Sequence, residues 1–322
     1  MTYPTIDAGL MLEPSTELRY LPESPTCLQL GPLSGQVAWV GIQHGQGSAV
    51  GSVNLLDPDN RTNRMLPLPG RPGFVVETDR PETLLVGLDR RLVLFDLRTG
   101  ATTETGARIE EDPSTMINDG VAAPFGVVFG TKDPAFTDPL GSLYLLRNGA
   151  SDLVKLRGEQ TCSNGKVVIA DEDTWQLLDI DTATRQVVRY QIDPDAGELV
   201  DRGVVTQLAD DDGYPDGMVL TPDGKSVIVA IFNTGEVDHG EARQLSLATG
   251  AIEAVWRTPG SPQVTCPLLF MAGSEVKLLL TTANEHMDAT KRARHPHAGC
   301  LFVAATAFGT PPPPPPLVPL TA

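Results

Sequence analysis

A chain of 322 residues with a formal charge of −17 is unsuited to nucleic acid or an anionic membrane surface, both of which require basic patches. At 41% hydrophobic but only 5% aromatic, its core must rest on Val, Leu, Ile and Ala. Its 31 glycines and 28 prolines exclude long helices and predict many short strands joined by turns.

In chain order, a strand at 8–12 or 17–21 comes first, followed by an apolar segment PESPTCL from Pro22. Two further strands, GQVAWVGIQ from Gly35 and GSVNLLDPD from Gly51, complete a first unit. The pattern returns as RPGFVVE from Arg71, PETLLVGLD from Pro81 and RLVLFDLRTG from Arg91. It returns again as NDGVAAP from Asn118, FGVVFGTK from Phe125 and GSLYLLRNG from Gly141. SNGKVVI from Ser163 opens the fourth unit, with GKVVIADED from Gly165 and WQLLDIDTAT from Trp175 as its strand pair. YPDGMVL from Tyr214, GKSVIVAIF from Gly224 and ARQLSLATG from Ala242 form the fifth. VTCPLLF from Val264, SEVKLLLTT from Ser274 and GCLFVAATA from Gly299 form the sixth.

A repeat of about fifty residues, each a small sheet unable to bury both faces alone, predicts an all-β fold, a six-bladed β-propeller. The propeller is expected over residues 1–309, its ring closed by the N-terminal strand joining the strand at 299–305. The tail 310–322, with six consecutive prolines, reads as a polyproline II spacer or a site for a proline-recognising partner. No apolar run is long enough for a membrane helix, and the N-terminus has no basic leader. The four cysteines (Cys27, Cys162, Cys266, Cys300) show no CxxC spacing, so a cytoplasmic protein with reduced thiols is expected.

In a propeller the first strand of each unit lines the central channel, so polar residues near their starts converge. Those residues are Glu23, Asn118, Asn164 and Asp216. Asn164-Gly165 and Asp216-Gly217 are also two-residue hairpin signals, as is Asp223-Gly224. Recurring at the unit period, however, two carboxylates and one or two amides suit a hard divalent cation: Ca²⁺, Mg²⁺ or Mn²⁺, with Zn²⁺ less usual.

PESPT near the N-terminus, Asn118-Asp119-Gly120 followed by Gly130-Thr131, Ser163-Asn164-Gly165, and Tyr214-Pro215-Asp216-Gly217 together resemble the senescence marker protein/gluconolactonase/luciferin-regenerating enzyme family. The resemblance runs from about Glu17 to Phe308 and implies a six-bladed propeller with one divalent metal ion in its channel. It implies Glu23, Asn164 and Asp216 as metal ligands, Asn118 beside the metal as a ligand or substrate contact, and a small-molecule lactone as substrate. Met116 stands where family members that act on sugar lactones commonly carry a substrate-binding Arg, and Lys132-Asp133-Pro134 follows Gly130-Thr131. Those departures alter the sugar-recognising shell and leave a less polar lactone open.

The chemistry expected is hydrolysis of a cyclic ester, with the metal as Lewis acid and Asp216 as general base; a metal-bound hydroxide is the alternative nucleophile. Asn118, Met116 and Asp119 are the candidate substrate contacts, Asp119 also reading as a turn residue. Cys162 and Cys266 sit near inner-strand starts as small buried thiols, and His286, His295 and His297 fall in a polar loop over the channel mouth. Asp210, Asp211 and Asp212 read as solvated loop acids. A phosphotriesterase-like hydrolase and a non-enzymatic metal-binding propeller remain as competing functions.

Overall fold

The computed structural model describes residues 3–171, 174–310 and 313–320. Its strands form four four-stranded antiparallel sheets, over 22–68, 72–108, 116–160 and 163–207, and one nine-stranded sheet. The nine-stranded sheet takes the strands of 214–259 and of 263–305, joined through the single pair Phe232–Gln263. The N-terminal segment adds to both parts. Thr5–Asp7 lies parallel to Ile252–Pro259, and Gly9–Leu12 lies antiparallel to Leu301–Ala305. No described helix is long and apolar enough to cross a membrane.

Burial follows position in the sheet. The second and third strands, such as Val37–Gly41 and Gly51–Asp57, are covered on both faces and read as continuous apolar runs. The fourth strands, such as Glu198–Gln207, stay largely exposed and polar, which blunts the sheet edge. Scarce aromatics are spent between sheets. Phe74 and Phe129 are fully buried with ring centroids 5.7 Å apart, and Phe129 stacks on Tyr144 at the same distance. Each such ring contributes about 3 kcal/mol of apolar burial.

The first strands are Pro22–Cys27, Pro72–Glu77, Met116–Ala123, Ser163–Asp171, Tyr214–Leu220 and Gln263–Ala272. Each packs against the next in chain order, and the last packs back against Pro22–Cys27, closing a ring. Every one is interrupted by a register shift: at 23/26, 72/74, 117/120, 164/166, 215/218 and 264/266. A bulge of this kind re-aims side chains out of the ordinary alternation. These six shifts therefore place Glu23, Asn118, Asp119, Asn164 and Asp216 on bulged backbone.

Asn164-Gly165 and Asp216-Gly217 are thus inside strands and not in hairpin turns. Their glycines serve close approach: a Cβ on Gly165 would lie 2.6 Å from the Asp216 carbonyl oxygen, and one on Gly217 would lie 2.8 Å from that of Thr265. The fourth unit also differs from the sequence expectation. Ser163–Asp171 is one continuous first strand, Thr174–Asp181 is the second, and the third is Gln186–Asp193, which lies outside the expected strand pair. The overlap of SNGKVVI with GKVVIADED hid that shift by one strand.

The C-terminal segment is more than a spacer. Pro313–Pro315 are exposed, but Val318 is buried and forms a parallel bridge with Thr78. Its N–H donates to the Glu77 carbonyl, Asp79 N–H donates to its carbonyl, and Gln29 Nε2 donates to the Pro315 carbonyl.

Candidate active site

Five of the expected residues, Glu23, Asn118, Asp119, Asn164 and Asp216, are linked through a directed hydrogen-bond chain and short-range electrostatics. Asn118 Nδ2 donates to Asn164 Oδ1 over 2.7 Å and to the Ser163 carbonyl over 2.9 Å. Asn164 Nδ2 donates to Thr182 Oγ1 over 2.7 Å, and that hydroxyl donates onward to the Pro215 carbonyl over 2.9 Å. The chain fixes both amides, because a flipped Asn164 would set its oxygen against the hydroxyl that must donate to Pro215. It leaves the second lone pair of Asn164 Oδ1 free. It also ties three neighbouring first strands together immediately before Asp216.

Asp216 is 5% exposed, and its Oδ1 is buried with no hydrogen-bond partner among the described residues. Burial, then the negative charge of Asp119, pushes its carboxyl well above the usual range. Glu23 is likewise pushed well above that range by burial, then by Asp216 and Asp119. Asp119 is raised by burial, although its Oδ1 accepts the Gly120 N–H over 2.7 Å. Like charges gathered in a dehydrated place disfavour one another, and a cation relieves them.

The donor set fits a hard divalent cation. Glu23 and Asp216 offer carboxylate oxygens, Asn164 offers an amide oxygen, and Asp216 Oδ1 has no other partner among the described residues. The set has two acids, and among the described residues no three His, Cys, Asp or Glu side chains gather closely enough to cage an ion by themselves. Such a cation would need other oxygens, from water or substrate. The thiols are poor soft-metal ligands here. Burial pushes Cys162 up to about 12, and burial with Asp119, Glu23 and Asp216 pushes Cys266 higher than an ordinary thiol.

The remaining expected residues lie elsewhere. Met116 is 1% exposed and packs in an apolar cluster with Leu88 and Ala283. Asp133 turns away from the carboxylates: it accepts the backbone N–H groups of Asp138, Thr137 and Ala135 and pins the loop that follows. That loop carries Phe136 edge-on to Tyr214 at 5.8 Å, while Arg185 Cζ lies 4.1 Å from the centroid of the Tyr214 ring. Of the loop acids, Asp212 is not simply solvated: it pairs with Arg243 over 2.7 Å and accepts the Ala209 N–H. His286 is exposed, and its Nδ1 meets Tyr20 Oη at 3.4 Å; His295 is buried behind the short helix Ala289–Arg294.

Three residues near the site were not singled out from sequence. Thr182 carries the hydrogen-bond chain, but nothing in WQLLDIDTAT distinguishes it. Glu285 adds negative charge against Asp216, its backbone held by Gln263 Nε2 over 3.0 Å. Lys132 adds the opposing positive charge to both Glu23 and Asp216. Its position directly after Gly130-Thr131 was the available signal.

Residues 21–284 match the family model described as SMP-30/Gluconolactonase/LRE-like region. Over 285 residues the chain is 28% identical to a Bacillus subtilis protein named "Putative sugar lactone lactonase YvrE", covering 87% of this chain and 91% of the other. Over 243 residues it is 29% identical to L-arabinolactonase of Azospirillum brasilense, covering 74% and 76%. Among solved structures, regucalcin, a calcium-binding protein from Agrobacterium tumefaciens, superposes with a TM-score of 0.80 over 99% of this chain and 100% of its own. At 22% identity that likeness is one of fold.

Proposed function

The chain belongs to the SMP-30/gluconolactonase/LRE-like family, and from that membership we propose that it is a lactonase that hydrolyses the cyclic ester of a small lactone. The ring is read as six-bladed. The single Phe232–Gln263 pair and the closed cycle of six first strands support splitting the nine-stranded sheet into two blades.

The single observation that carries the site is the Asp216 Oδ1, buried without a hydrogen-bond partner among the described residues and under the charge of Asp119, as Glu23 is under that of Asp216. Glu23, Asn164 and Asp216 would hold a divalent cation, for which Ca²⁺ is the first choice and Mg²⁺, Mn²⁺ or Zn²⁺ the alternatives. When bound, the cation supplies Lewis-acid polarisation of the ester carbonyl. Asp216 acts as general base: it takes a proton from water as the water oxygen bonds to the carbonyl carbon. When the ring C–O bond breaks, the departing ring oxygen regains that proton and an open hydroxy acid is left. Asn118 and Asn164 hold their amides fixed through the chain to Thr182, so the polar groups are placed before substrate arrives.

Acid release from a panel of lactones, with EDTA and with each cation restored, tests the reading. Metal-dependent turnover that Asp216→Ala abolishes in a folded protein supports it. Turnover of no lactone under any cation rejects it, and turnover of an organophosphate alone would move the chemistry to phosphorus.

A further inference from the structure

Lys132 ends the strand Gly126–Lys132 at a junction between two sheets. On one side its register partner is Met116, two residues before Asn118; on the other it forms an isolated antiparallel bridge with Cys162. The Cys162 Sγ lies 3.7 Å from Asn118 Nδ2 and 3.6 Å from Asn164 Nδ2, so the backbone of Lys132 is clamped beside both amides. Its side chain is half-buried, and it makes no hydrogen bond or ion pair at contact distance among the described residues.

The neighbouring Lys166 shows what a satisfied lysine looks like here. It is buried, bonded to the Asn164 carbonyl over 2.5 Å and paired with Asp179 at 3.4 Å. Lys132 has neither arrangement, although its charge acts on Glu23 and Asp216. If those two carboxylates hold a divalent cation, their charge is matched without it. The half-buried ammonium ion, with no contact-distance partner among the described residues, is then open to an anion that arrives with substrate. Opposite it, Met116 offers no hydrogen-bond donor at all and is sealed in the core.

We propose that Lys132 is a specificity-determining residue whose ammonium ion receives a carboxylate carried by the lactone, making lactones of sugar diacids the preferred substrate class. The proposal rests on the lactonase reading above and deepens it. Lysine suits the role as a compact point charge with three donors, able to meet one carboxylate oxygen without the planar fork that arginine would impose.

The test compares wild type, Lys132→Met and Lys132→Arg, each loaded with Ca²⁺, on a neutral gluconolactone and on a lactone of glucaric acid. The kcat/KM ratio of diacid lactone to neutral lactone is expected to fall at least about tenfold in Lys132→Met, the scale of one charge-assisted hydrogen bond. Lys132→Arg is expected to recover part of that ratio. A ratio unchanged in Lys132→Met, or a neutral lactone preferred by wild type, overturns the proposal. Calorimetric binding of glucarate to the Ca²⁺-loaded protein gives a readout independent of turnover. Binding at least about tenfold weaker in Lys132→Met upholds the role of Lys132 even if no lactone is opened, whereas equal binding overturns it.

Discussion

Asn118 and Asn164, on neighbouring first strands, share one hydrogen bond of 2.7 Å in which Asn118 is the donor. The bond decides which way the Asn164 amide faces, and so whether its oxygen can join Glu23 and Asp216. Asn118→Ala should weaken Ca²⁺ binding by roughly 10–100-fold, the usual cost of losing a residue that orients a metal ligand. Calorimetry on the folded variant checks this. Unchanged affinity would show that Asn164 holds its orientation through Thr182 alone.

Asp216→Asn should separate stability from activity. Removing a buried carboxyl from beside Glu23 and Asp119 relieves repulsion, so the metal-free variant is expected to melt a few degrees above wild type. The same change should lower turnover by roughly 10²–10⁴-fold and abolish the rise in Tm expected of wild type on adding Ca²⁺. Melting curves with and without Ca²⁺ read both effects. A lower Tm for the metal-free variant would count against an uncompensated acid cluster.

Gly165→Ala tests the packing that brings the strands together. Its Cβ would lie 2.6 Å from the Asp216 carbonyl oxygen and 2.9 Å from Met218 Cγ. Backbone cannot yield as a flexible side chain does, so a loss of about 1–3 kcal/mol is expected. Ca²⁺ binding should weaken with it, whereas Gly224→Ala, at a turn with open space, should strain only its positive φ and leave binding alone.

The Asp133 loop predicts an acid-sensitive contribution. The N–H groups of Asp138, Thr137 and Ala135 hold the Asp133 carboxyl down to about 2, below its ordinary value of 3.8. A depressed folded pKa stabilises above the unfolded value and is lost as pH falls. Asp133→Asn should therefore cost about 1–2 kcal/mol at neutral pH, with the gap to wild type closing between about pH 4 and pH 2. Urea melts across that range measure it. A gap that stays constant to pH 2 would assign the loss to packing and not to charge.

Deleting residues 311–322 removes the Val318 bridge to Thr78 and its backbone bonds to Glu77 and Asp79. A drop of about 2 kcal/mol is expected from the lost hydrogen bonds and the buried valine. Lactone turnover at low temperature should be retained, since the segment docks away from Asp216. Thermal melts and a turnover assay on the truncated chain decide both points.

Much of the architecture was legible because strand pairs and turn residues repeat at a steady spacing, and only a folded ring makes use of such spacing. The repeat led to Glu23, Asn118, Asn164 and Asp216 as candidates because polar residues recur in it at the starts of the first strands. It could not show the bulges that carry these residues, or the neighbouring sheets that press on them. Asn164-Gly165 has the composition of a turn, and only the backbone of Asp216 pressed against it explains the glycine. Lys132 and Glu285 act on the carboxylates from other segments; the place of Lys132 after Gly130-Thr131 was a signal, and Glu285 had none.

The N-terminal arm has a consequence for how the molecule comes into being. Gly9–Leu12 can pair only when Leu301–Ala305 exists, and the Pro22 carbonyl is met by Thr265 Oγ1 over 2.6 Å. A chain leaving the ribosome can pair Pro22–Cys27 with Val37–Gly41 early, yet the contact of that strand with Gln263–Ala272 waits until the last sheet has emerged. The early sheets can form in order, each on its predecessor, while the arm waits unpaired as an exposed edge. The ring thus closes late, and the strand that carries Glu23 meets its last neighbour only then.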